Sequence, residues 1–180
     1  IARTKLKLPK TAGAFRYISL AYIPVVLLSI PFFKTLGEYF SFQGDGINIY
    51  LSIASIATTI TYYIECKKQN DKITEIASLI FSYISVIWTT AIFSSKMEIY
   101  VISLLIYSIA FSLSHIKNIK IYNSQTKYVT ITSIAIITIA LYDNLYNLTQ
   151  ESILFVRNIS DILIFLNLYL LIVNIKKRDD

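Results

Sequence analysis

Ile153 to Ile175 reads ILFVRNISDILIFLNLYLLIVNI. An α-helix crosses the hydrocarbon core of a bilayer with about 20 mostly apolar residues, and this stretch is long enough. It nevertheless carries Arg157 and Asp161 one helical turn apart, and Asn158, Asn167 and Asn174 besides. A charge at membrane depth costs at least about 2.5 kcal/mol, so such residues face protein or a water-filled cavity and not lipid. The stretch reads as a membrane-spanning helix with one polar side that must be covered. Ser160, Asn167 and Asn174 recur every seventh residue along that side.

The whole chain has this character. Of its 180 residues 55% are hydrophobic and only 16% are charged, where a soluble domain carries about 25% charged residues. Its mean hydropathy is +0.58. A single Cys excludes an internal disulfide and a cysteine-based zinc site. A single His excludes a multi-histidine metal site. No P-loop, dinucleotide fingerprint or metal motif occurs, and no cofactor or metal is expected. The net charge of +6 is read as membrane topology and not as nucleic-acid binding.

Working outward from span six gives five more spans. Residues 1–16 are basic, without an acid, and precede Tyr17 to Phe33. A basic flank before an apolar run resembles a signal peptide, but no A-x-A-like cleavage site follows, so the run is read as a retained helix. Pro24 and Pro31 lie on one face of it, and each removes a helix hydrogen bond. A connector bearing Gly37, Gly44 and Gly46 leads to span two, 47–65. Spans three to five follow at 73–93, 98–115 and 128–147, span six occupies 153–175, and a tail at 176–180 ends the chain. Ile, Tyr and Thr also favour strands. A membrane barrel, however, needs segments of about ten residues with polar alternation, and these runs are longer and do not alternate. The expected fold is all-α, a polytopic bundle of six transmembrane helices over 17–175.

Charge then orients the bundle. With the N-terminus inside, the inner segments hold Arg3, Lys5, Lys7, Lys10 and Arg16; Lys67, Lys68 and Lys72; Lys117, Lys120 and Lys127; and Lys176, Lys177 and Arg178. Only Lys34, Lys96 and Arg157 of the 17 Lys and Arg fall outside. Basic short loops stay on the cytoplasmic side, so both termini are cytoplasmic. Tyr17, Tyr50, Tyr62, Tyr63, Tyr100, Tyr128, Tyr142 and Tyr146 lie near span ends, as an interfacial belt does.

Polar residues within the spans form stripes. Glu75, Ser78, Ser82, Ser85 and Thr89 share one face of span three, and Ser52, Ser55 and Thr59 one face of span two. Ser108 and Ser112 precede His115 on span four. In lipid, helices associate through small residues and interhelical hydrogen bonds, so the stripes are read first as packing seams. The other reading is a water-filled ligand or ion path through Arg157, Asp161, Asn158, Asn167, Asn174, Ser160, Ser78, Ser82, Ser85 and Thr89. His115 is the candidate pH-sensitive group. Asn147-Leu148-Thr149 matches the glycosylation pattern.

Functionally, the spans lack Gly, and only span one contains Pro. Alternating-access carriers use helices broken by such residues, which argues against a carrier. A Cys66–His115 pair is the nearest approach to a catalytic constellation, and no motif supports it. No stretch identifies a family. The expected function is a non-enzymatic subunit, sensor or immunity-type interaction protein of a membrane assembly, in a bacterial cytoplasmic membrane. The alternative is a homo-oligomeric channel or small-solute transport protein, and an intramembrane enzyme ranks below both. The expected partners are the lipid bilayer, a protein partner or second copy through the helices, and anionic lipid at the basic inner face.

Overall fold

The computed structural model describes residues 11–30, 45–146 and 154–179. The residues Arg3 to Lys10, the connector through Gly37 and Gly44, and the Asn147 glycosylation pattern lie outside them, while Gly46 lies in the first turn of the second helix. Six helices follow one another: α1 (Thr11–Ser29), α2 (Asp45–Gln69), α3 (Lys72–Phe93), α4 (Met97–Ile116), α5 (Gln125–Tyr146) and α6 (Leu154–Asp179). Among the described residues there is no strand. The apolar runs thus form helices, not barrel strands. α1 starts at Thr11, ahead of the Tyr17 expected from hydropathy, and α2 continues past Glu65 to Gln69. Hydropathy follows what a helix buries; backbone hydrogen bonding carries the helix further into polar sequence.

The tight turns have local causes. Asn70 ends α2 with φ 50°, and its N–H donates to Cys66 O at 2.8 Å. Asn118 ends α4 with φ 60°. There Asn118 N–H donates to His115 O at 2.9 Å and Ile119 N–H to Ser114 O at 2.9 Å, the paired bonds that close a helix through a left-handed residue. Asn is the residue after Gly best suited to that conformation. α3 starts on Asp71, whose Oδ1 accepts from Ile73 N–H at 3.2 Å, satisfying one of the donors a helix start leaves open.

The chain divides into two compact units, Ile1–Ile92 and Phe93–Asp180. In the first, α1 packs on α2. Two tyrosines of α2 bind α1: Tyr62 Oη donates to Leu20 O at 2.9 Å and Tyr50 Oη to Leu27 O at 2.8 Å. Leu20 is four residues before Pro24. Proline has no N–H to give the carbonyl one turn back, so Tyr62 supplies the donor that Pro24 cannot. α2 meets α3 through Asn48 Nδ2 donating to Ala91 O at 3.1 Å and through Tyr62 stacked on Phe81 with centroids 5.6 Å apart.

In the second unit α4, α5 and α6 each pack on the other two. Leu105, Val129 and Ala140 are completely buried, and Ile164 and Leu171 nearly so. At one end Tyr122 sits edge-on between Phe111 and Tyr128, at 6.1 and 6.2 Å. α6 shows the general pattern most clearly. It buries Ser160, Ile164, Asn167, Leu170, Leu171 and Asn174, and turns Ile162, Phe165, Tyr169 and Ile172 outward at 64–72% exposure. Its buried face mixes polar and apolar residues while its outward face within the span is large and apolar, unlike a helix on a water-soluble domain.

Four helical stretches are long and apolar enough to cross a membrane by length and composition: Gly46–Gln69, Lys72–Phe93, Met97–Ile116 and Arg157–Lys177. Among the described residues α1 contributes only the shorter apolar stretch Leu20–Ser29. α5, which opens with Gln125, Thr126 and Lys127, is not one of the four.

Candidate functional site

The polar stripes lie in helix–helix seams. In the first unit, Thr89 commits its hydroxyl proton to Ser85 O at 2.7 Å. Ser52, 2.7 Å from Thr89 Oγ1, is therefore the donor of that pair. Ser78 donates to Thr59 O at 3.1 Å. Ser78 and Ser82 are buried, while Ser85 and Thr89 are half-buried. Most other hydroxyls turn back onto their own helix: Ser82 to Leu79 O at 2.6 Å, Ser85 to Ser82 O at 2.7 Å and Thr58 to Ala54 O at 2.8 Å. Ser55 bonds in the same way to Leu51 O. This back-bonding is how Ser and Thr satisfy themselves without water. It also lets Thr138 stand exposed on α5 with its hydroxyl spent on Ile134 O at 2.8 Å.

The second unit holds a network in its core. Asn167, completely buried, donates through Nδ2 to Leu105 O at 3.1 Å and accepts at Oδ1 from Ser108 Oγ at 3.1 Å. Leu105 O can only accept, which fixes which way round the amide lies. Ser108 has one proton and spends it on Asn167, so Ser133, 3.0 Å away, donates to Ser108. Three helices are joined at one level by Ser133, Ser108 and Asn167.

At the loop between α4 and α5, Gln125 Oε1 accepts from Ile121 N–H at 2.8 Å and Nε2 donates to Ser114 Oγ at 2.7 Å. His115, half-buried, places Nε2 3.0 Å from Thr126 Oγ1. Lys177 reaches from α6 to the end of α4, donating to Ile116 O at 2.7 Å and Asn118 Oδ1 at 2.9 Å. A cation on the last carbonyl of a helix is placed where the helix dipole favours it.

The residues singled out on span six divide sharply. Ser160, Asn167 and Asn174 are buried, Asp161 is half-buried, and Arg157 and Asn158 are exposed. The seven-residue spacing of the buried three was readable in the sequence. Ser133 and Gln125 were not singled out: Ser133 is one hydroxyl in a run of Ile, Thr and Ala, and its role depends on the register between α4 and α5. Tyr62 and Tyr128 also differ from the interfacial reading, since both are buried at 7% exposure.

The hydroxyls of Ser108 and Ser133 and the Asn167 amide are spent on hydrogen bonds within the protein. An activated serine needs a base to take its proton; Ser108 points its proton at an amide oxygen, which is no base. Cys66 is buried. Among the described residues, no cluster of three or more His, Cys, Asp or Glu is placed to hold a metal ion. No known protein family matches the chain. Neither a curated protein nor a solved structure matches it.

Proposed function

We propose that the chain is a multi-pass membrane protein with six crossings and cytoplasmic ends. We propose further that it works as a non-enzymatic subunit, sensor or immunity-type interaction protein within a membrane assembly, with a second protein or a second copy bound through its helices. The observation that carries this reading is the helix pattern, with hydrogen-bonded polar groups in the seams and isoleucine-rich outer faces such as Ile53, Ile60, Ile131 and Ile172. Unsatisfied polar groups are costly in hydrocarbon, and back-bonded hydroxyls avoid that cost. The four long apolar helices support crossings by α2, α3, α4 and α6. The charge distribution supports crossings by α1 and α5 as well: without either of them, strongly basic loops fall on opposite sides. The same charges suit anionic headgroups at the inner face, where each Lys or Arg near the surface contributes about 1 kcal/mol.

The lone cysteine makes the topology testable. Cys66 is 1% exposed, so it leaves a low background for thiol labelling. A membrane-impermeant maleimide on intact cells is expected to label Ser95→Cys, in the exposed turn before α4, and to label Asn123→Cys, in the exposed turn before α5, only after permeabilisation. Equal labelling of both without permeabilisation overturns the six-crossing topology.

The function is tested by purifying the tagged full chain in mild detergent. A protein or a second copy is expected to co-purify in fixed stoichiometry, and to be lost when outward apolar residues of one helix, such as Phe165 and Tyr169, are replaced by Ala. Ion conductance by liposomes holding only the purified chain overturns this reading in favour of the homo-oligomeric channel.

A further inference from the structure

We propose that Ser112 of α4 and Asn174 of α6 hold an internal water molecule inside the three-helix unit. Both residues are completely buried, at 0% exposure. Among the described residues, Asn174 Oδ1, Asn174 Nδ2 and Ser112 Oγ find no hydrogen-bonding partner in the protein. Burying such a group unbonded is expensive, and buried polar groups are nearly always bonded to protein or to ordered water. The neighbours on the same helices obey that rule, because Ser108 and Asn167 are fully engaged.

The register places the three groups together. Asn167 bonds to Leu105 and Ser108 across the α4–α6 contact. The two helices run in the same direction, since Lys177 near the end of α6 reaches Ile116 at the end of α4. Each rises about 1.5 Å per residue. Asn174, seven residues beyond Asn167, is therefore level with the α4 turn that begins at Ser112. Ser112 lies one turn beyond Ser108 on the same face, and Asn174 two turns beyond Asn167, so both point into the seam.

The chemistry selects the occupant. The amide offers hydrogens and a carbonyl oxygen, and the serine can donate or accept. A cation is repelled by the amide hydrogens, and an anion by the carbonyl oxygen. The nearby cationic group, Lys177, is committed elsewhere, at Ile116 and Asn118. The fitting molecule is neutral, donates and accepts, and is small enough to sit where nothing reaches from outside. A buried water makes about three hydrogen bonds, and three atoms are offered. With it in place, the polar seam of the unit runs from Ser133, Ser108 and Asn167 through Ser112 and Asn174 towards the Gln125 loop. This inference rests on the three-helix unit alone and stands apart from the function proposed above.

The test is water-selective NMR on the full chain in detergent micelles, labelled with 15N-asparagine, with the Asn174 side-chain resonance identified by its loss in Asn174→Leu. A cross-peak from Asn174 NH2 to the water frequency is expected, with opposite signs in the laboratory-frame and rotating-frame experiments, as direct dipolar contact with a long-lived water gives. It is expected to weaken in Ser112→Ala, which removes one of the three groups that hold the water. No cross-peak, or one of unchanged intensity in Ser112→Ala, overturns the proposal. Thermal unfolding reads the same site independently. Asn174→Leu is expected to lower the midpoint by several degrees, because a bonded amide and its water are lost. A raised midpoint means that the amide was unbonded and overturns the proposal.

Discussion

Asn167→Ala is expected to destabilise the second unit by about 2–3 kcal/mol, combining a hydrogen-bonding loss with a cavity. The hydrogen-bond part is the smaller. Polar contacts between membrane helices average about 0.6 kcal/mol, because the separated helices find other partners. Ser108, deprived of Asn167, can turn its proton back to its own helix as Thr58 and Thr89 do. The cavity is the larger part, since Asn167 is completely buried among three helices and close-packed surroundings relax only partly. In a unit of this size 1 kcal/mol shifts the melting midpoint by roughly 4–8 °C. Thermal unfolding in detergent is therefore expected to show a drop of roughly 10 °C or more. Asn158→Ala is the matched control, an exposed asparagine on the same helix, and is expected to stay within about 0.5 kcal/mol. Equal midpoints for the two variants would mean that the Ser133–Ser108–Asn167 layer does not hold the unit together.

That contrast also marks what could be read in advance. Asn158, Asn167 and Asn174 share one helix and one residue type. Spacing from Ser160 separates the buried pair from the exposed one, because a period of seven keeps to one helical face. Spacing does not say what each amide meets. Asn167 meets a carbonyl of α4 and a hydroxyl one turn on, while Asn174 meets no protein group among the described residues. The difference is set by the axial register of α4 against α6, a tertiary quantity that the pattern of a single helix does not contain. The helices themselves were legible because apolar runs of this length leave few alternatives. Their ends were less so, since Asp71, Asn70 and Asn118 act through backbone geometry and not through hydropathy.

Pro24 shows the same division. That Pro24 deprives a carbonyl of its donor follows from the sequence. That Tyr62, 42 residues beyond Leu20, replaces it does not. A double-mutant cycle isolates the replacement. Tyr62→Phe keeps the ring that stacks on Phe81 and removes only the hydroxyl, leaving Leu20 O without its partner from α2. Leaving a buried acceptor unsatisfied costs about 1–3 kcal/mol, and the loss loosens α1 from α2. Pro24→Ala returns an N–H one turn after Leu20, aimed along the helix at the same carbonyl. In that background Tyr62→Phe is expected to cost less than about 0.5 kcal/mol, since the carbonyl is already satisfied from within α1. The coupling between the two sites is then about 1–2 kcal/mol, at the scale of contacting residues and well above that of independent ones. Tyr50→Phe, which frees Leu27 O and not Leu20 O, should show no such dependence on Pro24. Additive behaviour of Tyr62→Phe and Pro24→Ala in thermal unfolding would remove the tyrosine from the role assigned to it. α1 would then be held to α2 by apolar packing alone.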